Sequence, residues 1–223
     1  GTEGMTGLYV RGGGADENLY LLDGNPVYHV NHLLGFFSAF NPDAIKNTRF
    51  YKGSFPAEYG GRLSSVVDVR MNDGNRQEYH GNISVGLLSA RANLEGPIVK
   101  DRSSFNVSVR RTWLDLITGT ALAIVNKNSD TKESFGYHFF DINAKVNHSF
   151  SERSRAYLSF YMGQDAFRQG SKEKHEDSDD MFLWRWGNLI GSAGWNYVFG
   201  QKLFGNLMVG YSRFRSHIRQ EVG

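Results

Sequence analysis

Cysteine is absent from the 223 residues, which excludes disulfides and thiolate metal sites and says little about compartment. No run of about 18 apolar residues occurs, so no transmembrane helix is expected. A membrane β-strand would show no such run, because it alternates apolar and polar residues. The mean hydropathy of −0.45 is therefore compatible with a membrane barrel. Neither sign of charge dominates: the formal net charge is +2, and no basic run of the kind that coats a phosphate backbone is present. Nucleic acid is not an expected partner. Gly1 to Gly14 is polar and glycine-rich, unlike a signal peptide.

Aromatic content of 14% and 26 glycines accompany only 4 prolines. Strands favour aromatics, while tight turns and close strand contacts use glycine, so the chain reads as mainly β. The first third is compact and turn-rich, with short apolar runs such as Leu19-Tyr20-Leu21-Leu22 and Val66-Val67-Asp68-Val69. Asn41-Pro42-Asp43-Ala44-Ile45 reads as a helix start, with Asn41 as cap and Pro42 at the first helical position. Phe55 to Gly61 suggests a short helical turn ended by glycine. These make a small α+β unit spanning 1–75.

Residues 76–223 read as long alternating strands. Tyr79, Gly81, Ile83, Val85 and Leu87 share one face, but from Leu88 the apolar parity flips to Leu88, Ala90, Ala92 and Leu94. A strand cannot change face without a bulge or a turn, so a hairpin is expected at Leu87-Leu88. Phe105, Val107 and Val109 form another apolar row, as do Phe140, Ile142, Ala144, Val146 and His148, and Leu189, Ala193, Trp195, Tyr197 and Phe199. Over Arg155 to Gly163 the alternation is weak, because Tyr157 and Tyr161 can face either way. The opposite rows carry Arg91, Arg110 and Lys145, which suits a wet lumen better than a dry core.

Connections sort by length. Val99–Arg102, Ser151–Ser154 and Gly200–Lys202 are short turns, while Asp115–Gly136 and Gln164–Phe182 read as long loops on the opposite end of the sheet. Short periplasmic turns and long extracellular loops mark an outer-membrane barrel. Trp113, Tyr137, Phe139, Phe150, Trp184, Trp186, Phe199 and Phe204 stand near strand ends, where interfacial aromatic girdles are expected.

Tyr9-Val10-Arg11-Gly12-Gly13, Asn18 to Tyr28 (NLYLLDGNPVY), Phe40 to Lys46, and Phe55 to Val69 (FPAEYGGRLSSVVDV) resemble, in order and spacing, the plug domain of TonB-dependent outer-membrane receptors, most closely those of Bacteroidetes type. The resemblance implies the C-terminal part of a plug followed by the first strands of an antiparallel transmembrane β-barrel. Barrels of this family have about 22 strands with a plugged lumen. The roughly seven strands legible here therefore read as an incomplete barrel, whose open edges would pair with another copy in a soluble fragment.

The same resemblance implies energy-coupled uptake of a scarce nutrient (glycan, peptide or metal chelate) in the bacterial outer membrane, with no enzymatic step and no cofactor. Its expected partners are the TonB complex, through a segment ahead of Gly1, outer-membrane lipid, and a SusD-like surface lipoprotein. Candidate substrate contacts at the plug apex are Asp16, Asn18, Tyr28, His29 and His32, beside Glu17 and Asn31; their alternative role is packing against the lumen wall. Arg11, Glu58, Arg62, Asp68 and Arg70 are candidate gating contacts between plug and barrel. The acidic stretch Lys172 to Asp180 lacks the glycine and spacing of an EF-hand and reads as a solvated loop. None of the seven histidines forms a recognisable ligand set. Two other readings remain at this point: a non-transporting surface or structural protein on the same frame, and a soluble β-sandwich with both apolar rows buried.

Overall fold

The computed structural model describes residues 18–23, 25–26, 31–32, 37–38, 41–52, 65–173 and 179–222. Its first part contains β1 (Asn18–Leu22), β2 (Asn25–Pro26), β3 (Asn31–His32), β4 (Phe37–Ser38), β5 (Ile45–Lys52) and β6 (Ser65–Met71). Four of these form a small sheet in the order β2-β1-β6-β5, while β3 pairs with β4. In the small sheet β1 and β6 run parallel and the other neighbours antiparallel. The Asp23-Gly24 pair between β1 and β2 is a strong short-hairpin signal, and Asp23 takes the left-handed φ of 47° that such a turn uses.

The helix expected from Asn41 does not develop. Asn41 does cap: its Oδ1 accepts the Asp43 N–H at 3.1 Å and its carbonyl accepts the Ala44 N–H at 3.0 Å. The turn ends as a 3₁₀ segment, Pro42–Ala44, because Ile45 already pairs with Met71 in the sheet. Strand pairing outweighs the local cap signal. The helical turn expected over Phe55 to Gly61 lies outside the described residues.

The second part is a seven-stranded antiparallel sheet, here called the wall, in which every strand pairs with its neighbour in sequence. It comprises β7 (His80–Val85), β8 (Ser89–Val99), β9 (Ser103–Thr112), β10 (Thr131–Ser149), β11 (Ser154–Glu173), β12 (Asp179–Val198) and β13 (Phe204–Glu221). The hairpin at the parity flip is present, with Val85 opposite Ala90 and the Gly86 N–H donating to the Ser89 carbonyl at 2.8 Å. The three short turns fall where the sequence places them. The two long loops do not. Most of 164–182 is strand, paired through to Lys172 opposite Asp179. Within 115–136 lie helix α1 (Leu114–Val125) and the start of β10. Trp113 supplies no side-chain cap to that helix, and the β-branched residues within it weaken its signal.

The wall is inverted relative to a soluble core. Ser104, Asn106 and Ser108 are 0% exposed on the face that carries the small sheet, whereas Val85 is 72% and Leu158 64% exposed on the other. A sandwich with both apolar rows buried is thereby excluded. The outward row is apolar from Phe140 to His148, from Ala156 to Met162, from Leu189 to Tyr197 and from Leu207 to Tyr211. Beyond that band the same row turns polar, at Gln164, Arg168, Arg185, Arg213 and Arg215. The band is about 9 residues tall, against the 9–11 a tilted strand needs to cross a bilayer. Strands of 19 and 20 residues therefore project well past the hydrocarbon.

Register also resolves the weakly alternating strand. Tyr157 and Tyr161 lie opposite Asn147 and Asn143, on the inner face, leaving Ala156, Leu158 and Phe160 outside. Glycine makes room for one of these rings: a Cβ at Gly194 would stand 2.2 Å from the Tyr157 ring. At the junction between the two sheets Gly74 has φ +90°, and a Cβ there would meet the Phe105 carbonyl oxygen at 2.3 Å. Only glycine fits that crossing.

Leu158→Arg, in mid-band, is expected to lower stability by about 2–4 kcal/mol, and Gln164→Arg, above the band, by about 0–1 kcal/mol. Folding titrations into lipid vesicles measure both. Equal costs at the two positions would refute the placement of the band.

Candidate functional site

Where the small sheet meets the inner face, one cation organises the contact. The Lys145 ammonium has three protons to place. It lies 3.4 Å from Asp23 Oδ1, 3.1 Å from Asp73 Oδ1 and 3.3 Å from the Met71 carbonyl. The face of Tyr157 sits 4.8 Å from Nζ. All three acceptors belong to the small sheet or the segment leaving it, and Lys145 belongs to β10. Asp23 is held for the task from behind: its N–H donates to the Val69 carbonyl at 2.9 Å and its Oδ1 accepts the Met71 N–H at 3.1 Å.

Neutral contacts extend the seam. Asn147 Nδ2 and Ser104 Oγ each donate to the Asp73 carbonyl at 2.7 Å, and Ser192 Oγ donates to the Asp23 carbonyl at 3.4 Å. Arg91 reaches Asp43 at 3.1 Å, half-exposed, and so contributes little. Among the described residues, apolar packing brings Leu22, Val67, Val69 and Met71, with Tyr20 and Ile45 beside them, against Tyr161 and Ile190 of the wall. Burial opposes the charge of the Asp73 carboxyl, but Lys145 and Lys46, the latter at 2.9 Å, outweigh it and hold Asp73 below its ordinary value.

Of the candidate gating residues, Asp68 and Arg70 share one face of β6 and pair with each other at 3.2 Å. Burial disfavours the Arg70 charge, yet Asp68 and Asp23 outweigh it and raise its pKa. Arg11, Glu58 and Arg62 lie outside the described residues. Among the plug-apex candidates, Asn18 pairs with Ser65 along β1 and His32 with Phe37 along β3, while Asp16, Tyr28 and His29 lie outside the described residues. Among the described residues the carboxylates that reach the wall are Asp23, Asp43 and Asp73, which the sequence did not single out. For Asp23 a signal existed, the Asp-Gly hairpin pair; its partner 122 positions away left none.

Farther up the inner face the wall pairs its own charges. Arg110 donates to Asp141 Oδ2 from Nε at 3.1 Å and from Nη2 at 2.5 Å, both side chains being buried. Above this pair stands an aromatic cluster, in which Tyr137, Phe139 and Trp186 are buried, with Phe167, Trp184 and Phe214 packed against them. The Tyr137 hydroxyl donates to the Asp165 carboxylate. This corrects the expected upper girdle. Tyr137, Phe139, Trp184 and Trp186 share the parity of the inner polar row and face inward rather than toward lipid. At the short-turn end the outward ladder is present, with Trp195, Tyr197 and Phe199 in successive ring contact at 5.9 and 4.7 Å. Among the described residues no group of three metal-ligating side chains occurs.

Lys145→Met leaves Asp23 buried without its cation, at an expected cost of about 3–5 kcal/mol, while Asp23→Asn combined with Lys145→Met costs less than the two changes summed. Hydrogen exchange at the Met71 amide in detergent-solubilised protein measures this, and strictly additive effects would refute the pairing. Because the folded pKa of Asp73 lies below its unfolded value, its contribution is complete above about pH 4 and fades as pH falls through the lower folded value. The protection factor of the Met71 amide, its exchange corrected for the intrinsic pH dependence, should therefore be flat from neutral to mildly acidic pH and fall only below the ordinary aspartate range. A midpoint above that range would contradict the assignment.

No curated protein matches this chain. Among solved structures, a siderophore receptor PirA from Acinetobacter baumannii shares 15% identity over 93% of this chain and 41% of its own, with a TM-score of 0.46. A ferric enterobactin receptor PfeA mutant from Pseudomonas aeruginosa shares 14% over 92% of this chain and 38% of its own, with a TM-score of 0.47. The chain thus spans about two fifths of the length of these structures, and likeness this distant carries no argument about substrate. Residues 1–67 match the family model for the TonB-dependent Receptor Plug Domain. Over those residues the chain is thus similar to the plug domain of TonB-dependent receptors.

Proposed function

We propose that this chain is the plug and adjoining wall of an energy-coupled receptor that imports a scarce nutrient, with the division between them near Asn75. The observation that carries the reading is the seam itself. A plug unit docks on a polar inner face through Lys145 and side-chain amides and hydroxyls, so that it occludes a lumen whose outer face is built for lipid. Strong partners bury the seam, yet each of them is a group that water can satisfy once the seam opens.

The TonB complex is the proposed source of work, acting on a segment ahead of the plug. Substrate is proposed to approach from the end opposite the short turns, toward Asp16, Asn18, Tyr28, His29 and His32, and past the inner aromatic cluster. At that end a cavity of about 360 Å³ is lined by Phe135, Gln169, Phe182 and Gln220 with Glu133 and Asp180. The first four lie on neighbouring strands of one row, ring next to amide across the sheet. Rings that stack and amides that hydrogen-bond favour a glycan or a peptide over an anionic metal chelate, which two carboxylates would repel. The wording of the plug segments favours a Bacteroidetes-type receptor, for which a SusD-like surface lipoprotein is the proposed partner.

Occlusion is testable without knowing the substrate. In planar bilayers the full-length gene product should be closed, and deletion of residues 1–75 should open a stable, large conductance. Equal conductance before and after deletion would refute the reading.

A further inference from the structure

At the short-turn end of the inner face, the cations are arranged differently from Arg91, Arg110 and Lys145 farther along it. A cavity of about 660 Å³ opens there, and its lining includes Arg76, Arg102, Arg153 and Arg155 together with Asp101 and Glu152. The arginines come from three separate segments: the strand-free stretch after the small sheet, the β8–β9 turn, and the β10–β11 turn with the start of β11. Backbone bonds fix these segments against their neighbours. The Arg76 carbonyl accepts the Asp101 N–H at 3.0 Å, the Arg102 carbonyl the Ser149 N–H at 2.8 Å, and the Arg153 carbonyl the Val198 N–H at 2.8 Å. The cluster is thus held by the fold rather than gathered on a loose loop.

Three cations of the inner face each have a carboxylate: Arg91 has Asp43, Arg110 has Asp141, and Lys145 has Asp23 and Asp73. Among the described residues none of the four arginines at the cavity has one within ion-pair distance. The side-chain partner of Arg76 is the neutral Asn147 amide, at 3.1 Å. Burial, and then the neighbouring Arg155 guanidinium, push Arg76 below the usual arginine range, only partly countered by Asp73. A guanidinium whose charge is opposed by burial and by a neighbouring guanidinium marks a place that an anion would stabilise.

We propose that this cavity is an anion site for a phosphate group, bound by Arg76 and Arg155 from the inner face and by Arg102 and Arg153 from the turns. Phosphate fits better than carboxylate, because its oxygens can engage several guanidinium forks at once, whereas a carboxylate fills one. The cavity has space for a substituent beyond the phosphate itself. That substituent belongs either to a soluble phosphate ester or to a phospholipid whose headgroup enters beside the exposed ring of Phe150, which also lines the cavity.

The test uses the full-length gene product in detergent micelles, with inorganic phosphate as the calorimetric probe and circular dichroism as the folding control. The expected result is saturable binding, weakened at least tenfold in Arg76→Gln/Arg155→Gln and also weakened in Arg102→Gln/Arg153→Gln. The second pair sits in exposed turns and keeps the test open if the first misfolds. Arg168→Gln, on the outward face, should bind as the parent does. In a parallel arm, nanodiscs of phosphatidylglycerol or phosphatidylcholine identify the source. Competition between phosphatidylglycerol and inorganic phosphate supports the lipid headgroup, and phosphate binding indifferent to lipid supports the soluble ester. Binding unchanged in both double variants, or no saturable binding of phosphate or phosphatidylglycerol, overturns the proposal.

Discussion

An ammonium taken out of water needs an acceptor for each of its protons, and Lys145 finds all three across the seam. That requirement fixes more than one ion pair. Asp23 can present its carboxylate only because the β1–β2 turn adopts a left-handed residue there, and because β6 anchors the turn through the Val69 carbonyl and the Met71 amide. Asp73 can present its own only because Gly74 then turns the chain past the Phe105 carbonyl, where any side chain would collide. The placement of the plug on the wall thus follows from one lysine and two turns.

Lys145 is inward for the same reason that Val146 is outward. The wall sorts residues by strand parity, with lipid as the apolar phase and the plug side as the polar one, so the usual inside and outside are exchanged. Along β10 this gives Asp141, Asn143, Lys145 and Asn147 on one face and Phe140, Ile142, Ala144 and Val146 on the other. Above the band the outward constraint relaxes and the outward row becomes polar. The inner row there becomes aromatic instead, with Tyr137, Phe139 and Trp186 buried in one cluster.

This parity was the part legible in the sequence, since it is local and repeats every second residue. The flip at Leu87-Leu88 located a hairpin, and the rows of β9, β10 and β12 assigned their faces before any coordinates. Features that depend on distant partners were not legible. Asn41 caps a turn as its sequence suggests, yet β6 draws Ile45 into a strand. Residues 164–173 look like a loop because they are polar on both faces, but backbone pairing with β12 continues regardless of side chains. The girdle reading failed at Tyr137 and Trp186 because nearness to a strand end gives height and not face. Asp23 and Asp73 gave no sign of their partner, which is fixed only once the sheets dock.

The two kinds of buried charge pair on the inner face differ in one respect that bears on motion. Arg110 and Asp141 lie directly across from each other on adjacent wall strands β9 and β10, so their pair is internal to the wall. Lys145 has its carboxylate partners only on the plug side and in the segment leaving it. Displacing the plug would therefore leave the Arg110–Asp141 pair in place and would free the half-exposed Arg91 from Asp43 and the buried Lys145, whose row neighbours Asn143 and Asn147 are neutral and polar. Water entering the vacated lumen can solvate that ammonium and the two carboxylates it releases. Among the described residues the apolar groups that would be exposed are Tyr161 and Ile190 on the wall and Leu22, Val67, Val69 and Met71, with Tyr20 and Ile45, on the plug. A wall that keeps its own pairs while giving up the shared ones can remain folded with its plug moved.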